Sequence, residues 1–405
     1  MKRFFHNLLA VTLIAALSLS MVGCNNKVVL TLDPESKQTL IFYFAGTDLT
    51  MYFYKNISAI KDALREDIKG GSRVMLFFQQ SEKNSAEIIE LTYNRGLCEE
   101  QKIAKYDLPE YMDAEHLSYY LSEVMRLAPA SSYSLIIGSH GLGWIPIGAT
   151  PDGPAATLRS TSEDDFWKQT GDITTRFIGE ASNLQNAFNI STLSEALTLT
   201  DKQMEYILFD ACFMANVESA YVLRNNAKYI VGSVCEIMGD GFPYTNIMPH
   251  LLKNYGTGYD LDLVCQEFNT YYRNSRGYSG SISLIDCSEL DALAEQMKRV
   301  NQGTTLDYAL SDIQFYEGQS RHVFFDLGDY VNHYCGDATL KADFKAQLDK
   351  TVVKRYTLDK FYSAYGSFGG TYKIDVDAYS GLNTSAPAEV YQYYYTQTDW
   401  YKATH

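Results

Sequence analysis

The chain has 405 residues, is 46% hydrophobic and carries a formal charge of −15, with a pI near 4.9. So acidic a surface repels phosphate backbones and anionic headgroups, which argues against nucleic acid and anionic lipid surfaces as partners and leaves cationic peptides as attractive ones. About 380 residues follow the amino-terminal leader, enough for a large core.

In that leader, Lys2 and Arg3 precede an apolar run over residues 8–19, too short to span a bilayer comfortably. Met21-Val22-Gly23-Cys24 then resembles the end of a bacterial lipoprotein signal, which predicts an exported chain held in the cell envelope by lipid on Cys24. Removing residues 1–23 takes away Lys2 and Arg3, so −15 becomes −17. Residues 24–38 read as a polar tether. Residues 39–45 (TLIFYFA) form a first buried strand, closed by Gly46-Thr47-Asp48. Helical spacing runs over 56–68 and stops at Gly70-Gly71. A second strand spans 73–78, and a third, alternating and nearer an edge, spans 87–93. Asp113 caps a helix over 113–127 that Pro129 ends. The strand 134–138 then leads into Ser139-His140-Gly141.

Residues 146–190 are rich in Gly, Pro, Ser, Thr and Asp, and too long for an ordinary connection, so they are either functional or a processing segment. A helix over 194–199 leads to the strand 206–210 and Asp210-Ala211-Cys212. A helix over 214–225 is expected directly after the cysteine, then strands over 229–234 and 280–286. Alternating strands and helices predict an α/β fold, a mostly parallel sheet with helices on both faces. It occupies residues 39–300, with a smaller C-terminal subdomain over 301–405.

In open α/β sheets, ligands bind at the carboxyl ends of the strands, where His140 and Cys212 are placed. A thiol must ionise to attack a carbonyl; a helix N-terminus behind Cys212 and a histidine beside it would both favour that. The backbone N–H groups of Gly141 and Cys212 are candidate donors to a tetrahedral oxyanion. Other chemistry is thin. Six cysteines besides Cys24 form no repeated disulfide framework, and no C-x-x-C pair or zinc-like spacing occurs. Gly277-Tyr278-Ser279-Gly280 misses the serine-hydrolase elbow. Asp326-Leu327-Gly328-Asp329 reads as a capped helix start rather than a metal site.

Ser139-His140-Gly141-Leu142-Gly143-Trp144, Asp210-Ala211-Cys212 and Gly239-Asp240-Gly241-Phe242-Pro243-Tyr244 together resemble the clostripain family of cysteine peptidases, whose fold is caspase-like. The resemblance is strongest over residues 39–250. It implies His140 as general acid/base, Cys212 as nucleophile, no obligatory third member, and cleavage after Arg or Lys of polypeptide substrates. Asp210, Asp240 and Glu236 are then the candidate acids of the specificity pocket, although Ile237-Met238 and Phe242 depart from the family's usual residues. It further implies self-cleavage between the His and Cys strands, with Arg159, Lys168 and Arg176 as available sites, and a monomer that can consist of two processed chains. No cofactor is implied. Some relatives use calcium, and Glu163-Asp164-Asp165 is the candidate cluster, read here as a solvated charge run. Two rivals remain: a non-catalytic envelope protein binding peptides or glycans on the same fold, and an acyl-transfer enzyme with the same dyad.

Overall fold

The structure is a computed structural model that describes residues 36–46, 48–64, 71–79, 84–154, 166–167, 187–253, 258–275, 278–364 and 372–405. Glu35–His405 is one compact unit. Its strands in chain order are β1 Gln38–Phe44, β2 Ser72–Gln79, β3 Ser85–Asn94, β4 Leu97–Asp107, β5 Tyr133–Gly138, β6 Met204–Asp210, β7 Ala227–Gly232, β8 Ser281–Asp286, β9 Phe325–Asp326, β10 Val352–Thr357, β11 Lys360–Ser363, β12 Tyr372–Asp375 and β13 Asn383–Thr384. The helices are α1 Thr50–Ala63, α2 Ala114–Leu127, α3 Ile190–Leu199, α4 Val217–Leu223, α5 Tyr244–Leu251, α6 Leu261–Asn274, α7 Leu290–Gln302, α8 Leu327–Tyr334, α9 Ala338–Thr351, α10 Gln392–Tyr395 and α11 Asp399–Thr404.

Nine strands make the main sheet, in the order β10-β8-β7-β6-β5-β1-β2-β3-β4. The five central strands, β7 to β2, run parallel, and both edges are antiparallel. Central strands are apolar because both faces are covered. Every residue of β1 and of β5 is buried. On β1, Phe42 and Phe44 meet Tyr244 of α5, and Phe44 stacks on Phe53 of α1 at 4.8 Å. Tyr43, pointing the other way, stacks on Phe77, which packs against Tyr120 of α2. One layer is thus α1, α5 and α6, and the other is α2, α3, α4, α7, α9 and α11.

The mostly parallel α/β sheet expected from the sequence is the sheet observed. Two features differ. β4 lies at the edge, joined to β3 by a two-residue turn at Arg95 and Gly96, both with positive φ, a geometry that suits the twist of a hairpin. Its charged, largely exposed sequence has no apolar alternation. The segment after residue 300, expected as a smaller C-terminal subdomain, supplies β10 to the same sheet.

That segment is also bolted to the cysteine loop through buried polar groups. Asn383 N–H donates to the Ala215 carbonyl, and Asn383 Nδ2 to the Val234 carbonyl. Glu218, at the start of α4, accepts from Thr384 Oγ1, from the Ser385 N–H and from Asn216 Nδ2. Burial pushes the Glu218 carboxyl up to about 7, against these hydrogen bonds, which favour the ionised form. A folded-state value above the unfolded one means that the protonated acid stabilises the fold. That contribution is complete at low pH and is lost as pH rises from about 4.5 through about 7. Glu218→Gln is therefore expected to flatten the fall in Tm across this window, measured by thermal unfolding at stepped pH.

Candidate active site

Adjacent parallel strands β5 and β6 are in register with Gly138 opposite Asp210, so the segments carrying His140 and Cys212 leave the sheet side by side. Ser139 N–H donates to the Asp210 carbonyl and keeps the two segments together one step further. Gly141 then lies on the cysteine backbone. A Cβ at Gly141 would sit 2.5 Å from the Cys212 carbonyl oxygen and 3.0 Å from its nitrogen. Only glycine permits that approach, because backbone cannot swing aside. The candidate oxyanion donors are thereby neighbours.

His140 Nε2 lies 2.7 Å from Asp48 Oδ1. Burial raises the Asp48 carboxyl, but the hydrogen bond and charge of His140 and the backbone N–H groups of Asp48 and Leu49 outweigh it and hold the group below its ordinary value. An ionised carboxylate only accepts, so Nε2 carries the proton and Nδ1 is left as the nitrogen that can exchange one. Among the described residues, buried Nδ1 has no hydrogen-bond partner. No motif in the sequence singles out Asp48. Its only signal was a polar residue closing β1, the strand that neighbours β5.

Cys212 is fully buried. Its Sγ accepts from Ile237 N–H at 3.2 Å and lies 3.6 Å from the Ile237 carbonyl. The helix expected directly behind it begins only at Val217, with Asn216 as its cap. Phe213 takes φ of 60°, and Phe213 and Ala215 donate to the Cys235 and Ser233 carbonyls rather than into a helix. The polar group next to the sulfur is therefore a backbone N–H from the segment after β7, not a helix end. Phe324 touches both the Gly143 segment and the Phe213 segment. It stacks on Phe213 at 4.5 Å, and a Cβ at Gly143 would approach it to 3.0 Å. Buried Glu317 fixes Phe324 by accepting the N–H groups of Val323 and Phe324.

The three candidate pocket acids have different surroundings. Asp210 is buried and accepts from Tyr244 OH at 2.7 Å. Asp240 is exposed (59%) and pairs with Lys55 at 3.9 Å. Glu236 is enclosed by the chain's own C-terminal region, accepting from Ser363 Oγ and the Ala364 N–H. This gives Glu236 a structural task, since its acceptor sites face β11 and the residue after it. Arg159, Lys168, Arg176, Cys24 and Glu163-Asp164-Asp165 lie outside the described residues. Among the described residues, no cluster of His, Cys, Asp or Glu is suited to a metal ion, and no helix is long and apolar enough to cross a membrane.

A cavity of about 110 Å³ opens beside His140, lined by residues that include Ser139, Gly141, Leu142, Phe209, Ala211 and Leu193 of α3. Cys235, Cys265 and Cys287 are further buried thiols. Burial raises all three thiols, Cys287 to about 12, which disfavours their thiolate forms.

The chain is similar over its length to known proteins. A secreted C11 cysteine protease from Bacteroides thetaiotaomicron, "iotapain", is 32% identical, with 92% of this chain and 100% of that chain covered and a TM-score of 0.78. An inactive zymogen C11 protease from Parabacteroides distasonis is 25% identical, with 92% of this chain and 98% of that one covered and a TM-score of 0.74. A clostripain from Bacteroides thetaiotaomicron in complex with the peptide inhibitor BTN-VLTK-AOMK is 36% identical, covering 54% of this chain and 96% of that one, with a TM-score of 0.51. No curated protein matches the chain. The clostripain family model matches residues 162–380, more than half of the chain. With the α/β sheet and the paired segments of β5 and β6, this establishes that the chain belongs to the clostripain family and is a cysteine endopeptidase.

Proposed function

We propose that the chain is an exported, lipid-anchored endopeptidase that cleaves after Arg or Lys with His140 and Cys212 as its dyad. The observation that supports the dyad is the packing of Gly141, the residue after His140, on the Cys212 backbone. In the first step, His140 Nδ1 takes the Cys212 proton and the thiolate attacks the scissile carbonyl carbon. The oxyanion formed accepts from the Gly141 and Cys212 N–H groups. The imidazolium, stabilised by Asp48, protonates the leaving amine as the C–N bond breaks, giving an acyl-enzyme. Water, deprotonated by His140, then attacks the thioester, and the acid product leaves as the thiol is restored.

A basic P1 side chain needs a carboxylate to face it once desolvated. Asp210, two residues before the nucleophile, is the leading partner, reached when Tyr244 yields its hydrogen bond. Asp240 is the second, on the rim. The lysine at the end of the VLTK inhibitor bound by the clostripain relative supports this preference. The secreted relative supports export, and the leader ending at Cys24 supports the anchor. The burial of Cys212 and the zymogen relative support a precursor activated by cleavage within residues 146–190, with Arg159, Lys168 and Arg176 as sites.

Reporter peptides with Arg, Lys, Asp or Leu at P1 test the reading. Release after Arg and Lys should exceed release after Asp and Leu by at least about 100-fold in kcat/KM, the discrimination expected of a buried charge pair. Equal release from all four would refute the basic preference.

A further inference from the structure

Side chains alternate across a strand, and this divides the carboxyl edge of the sheet around the cysteine. Asp210 points to the layer of α1 and α5, where Tyr244 meets it. Phe209 and Ala211 instead line the cavity on the layer of α3. His140 lines that cavity too, and its far end is made by Ala45, Gly46 and Gln79 at the ends of β1 and β2, away from β7. Its walls are mainly apolar, and among the described residues no Asp, Glu, Lys or Arg lines it. At about 110 Å³ it is of the order of cavities that hold a benzene-sized group.

General acid chemistry fixes a direction across the edge. The group that protonates the leaving amine lies on the leaving-group side of the scissile bond. A substrate whose P1 side chain reaches Asp210 on one layer therefore passes over the edge and delivers its next residues to the other layer, beside His140. We infer that this cavity is a leaving-group-side subsite taking one apolar side chain, that of the residue immediately after the cut. The inference rests on the basic-P1 reading above. It makes the enzyme selective on both sides of the bond, with a cation before it and an aliphatic or aromatic group after it.

Quenched peptides with Lys fixed at P1 and Leu, Phe, Gly or Asp at P1′ provide the test on the processed enzyme. Two variants change the cavity without touching the dyad. Leu193→Trp fills it, and Ile147→Asp places a carboxylate at its rim, where Ile147 is already 40% exposed and the fold tolerates a charge. In the wild type, kcat/KM for the Leu or Phe peptide should exceed that for Asp at least about tenfold. Both variants should bring the ratio close to one. A flat P1′ profile in the wild type, or an unchanged ratio in both variants, would overturn the subsite. Undiminished cleavage after Lys at P1 is exchanged for Leu, with the apolar P1′ preference kept, would count against Asp210 as the P1 partner and support the cavity on its own.

Discussion

Replacing Cys212 by alanine is expected to lower kcat/KM for peptide hydrolysis by about 10⁴-fold or more, as removal of a nucleophile does in enzymes whose catalytic groups act as a unit. His140→Ala should fall in the same range, and the double variant should be hardly worse than either single one. Non-additivity is the informative part, because two side chains that merely support the fold would lose activity independently. Neither variant should lower Tm by more than a few degrees. Cys212 contributes one small apolar group to the core, and His140 is held by a single ion pair at the sheet edge. Burial raises the thiols of Cys235, Cys265 and Cys287, which disfavours these three as substitutes.

Asp48→Asn is expected to reduce kcat by about 10²–10⁴-fold with KM little changed, since the carboxylate orients the imidazole and stabilises its cation without touching substrate. An asparagine in its place can present an N–H to Nε2, which favours the wrong tautomer and takes the proton off the nitrogen that Asp48 keeps protonated. The variant's acid limb should also lie at lower pH than that of the wild type, because an imidazole without the Asp48 counter-charge is protonated less readily and the base stays free to lower pH. Asp48→Glu, which can restore a carboxylate near Nε2, should recover part of the rate. A purely structural role for Asp48 would lower Tm and the amount of active enzyme while leaving the pH profile in place.

Much of this architecture is written locally in the chain. Strands β1, β2, β5, β6 and β7 are short apolar runs bounded by polar or glycine-containing turns, and their burial on both faces follows from that pattern. The Asp113 and Asp326 caps are equally local, each accepting an N–H three residues ahead. β4 escaped because an edge strand facing solvent needs no apolar side chains, and its charges guard the edge. The helix expected at residue 214 failed because the Phe213 and Ala215 N–H groups are taken by the segment after β7, a pairing between distant parts of the chain.

The site was legible to the same depth. His140, Gly141 and Cys212 announce themselves at strand ends, where topology delivers them to one edge. Asp48, Phe324 and the enclosure of Glu236 depend on which strand neighbours which and on where residues beyond 300 return. An acid such as Glu236 looks identical in sequence whether it faces substrate or accepts hydrogen bonds from the chain's own Ser363 and Ala364. Only the tertiary pairing distinguishes them.

In this mechanism Cys212, activated by His140, is the nucleophile. The most direct test is to react the processed enzyme with a peptide acyloxymethyl ketone bearing Lys at P1 and to map the adduct by mass spectrometry. A single adduct is expected on Cys212, absent in Cys212→Ala and much slower to form in His140→Ala. An adduct on another cysteine, or labelling of Cys212 at an undiminished rate without His140, would contradict this mechanism.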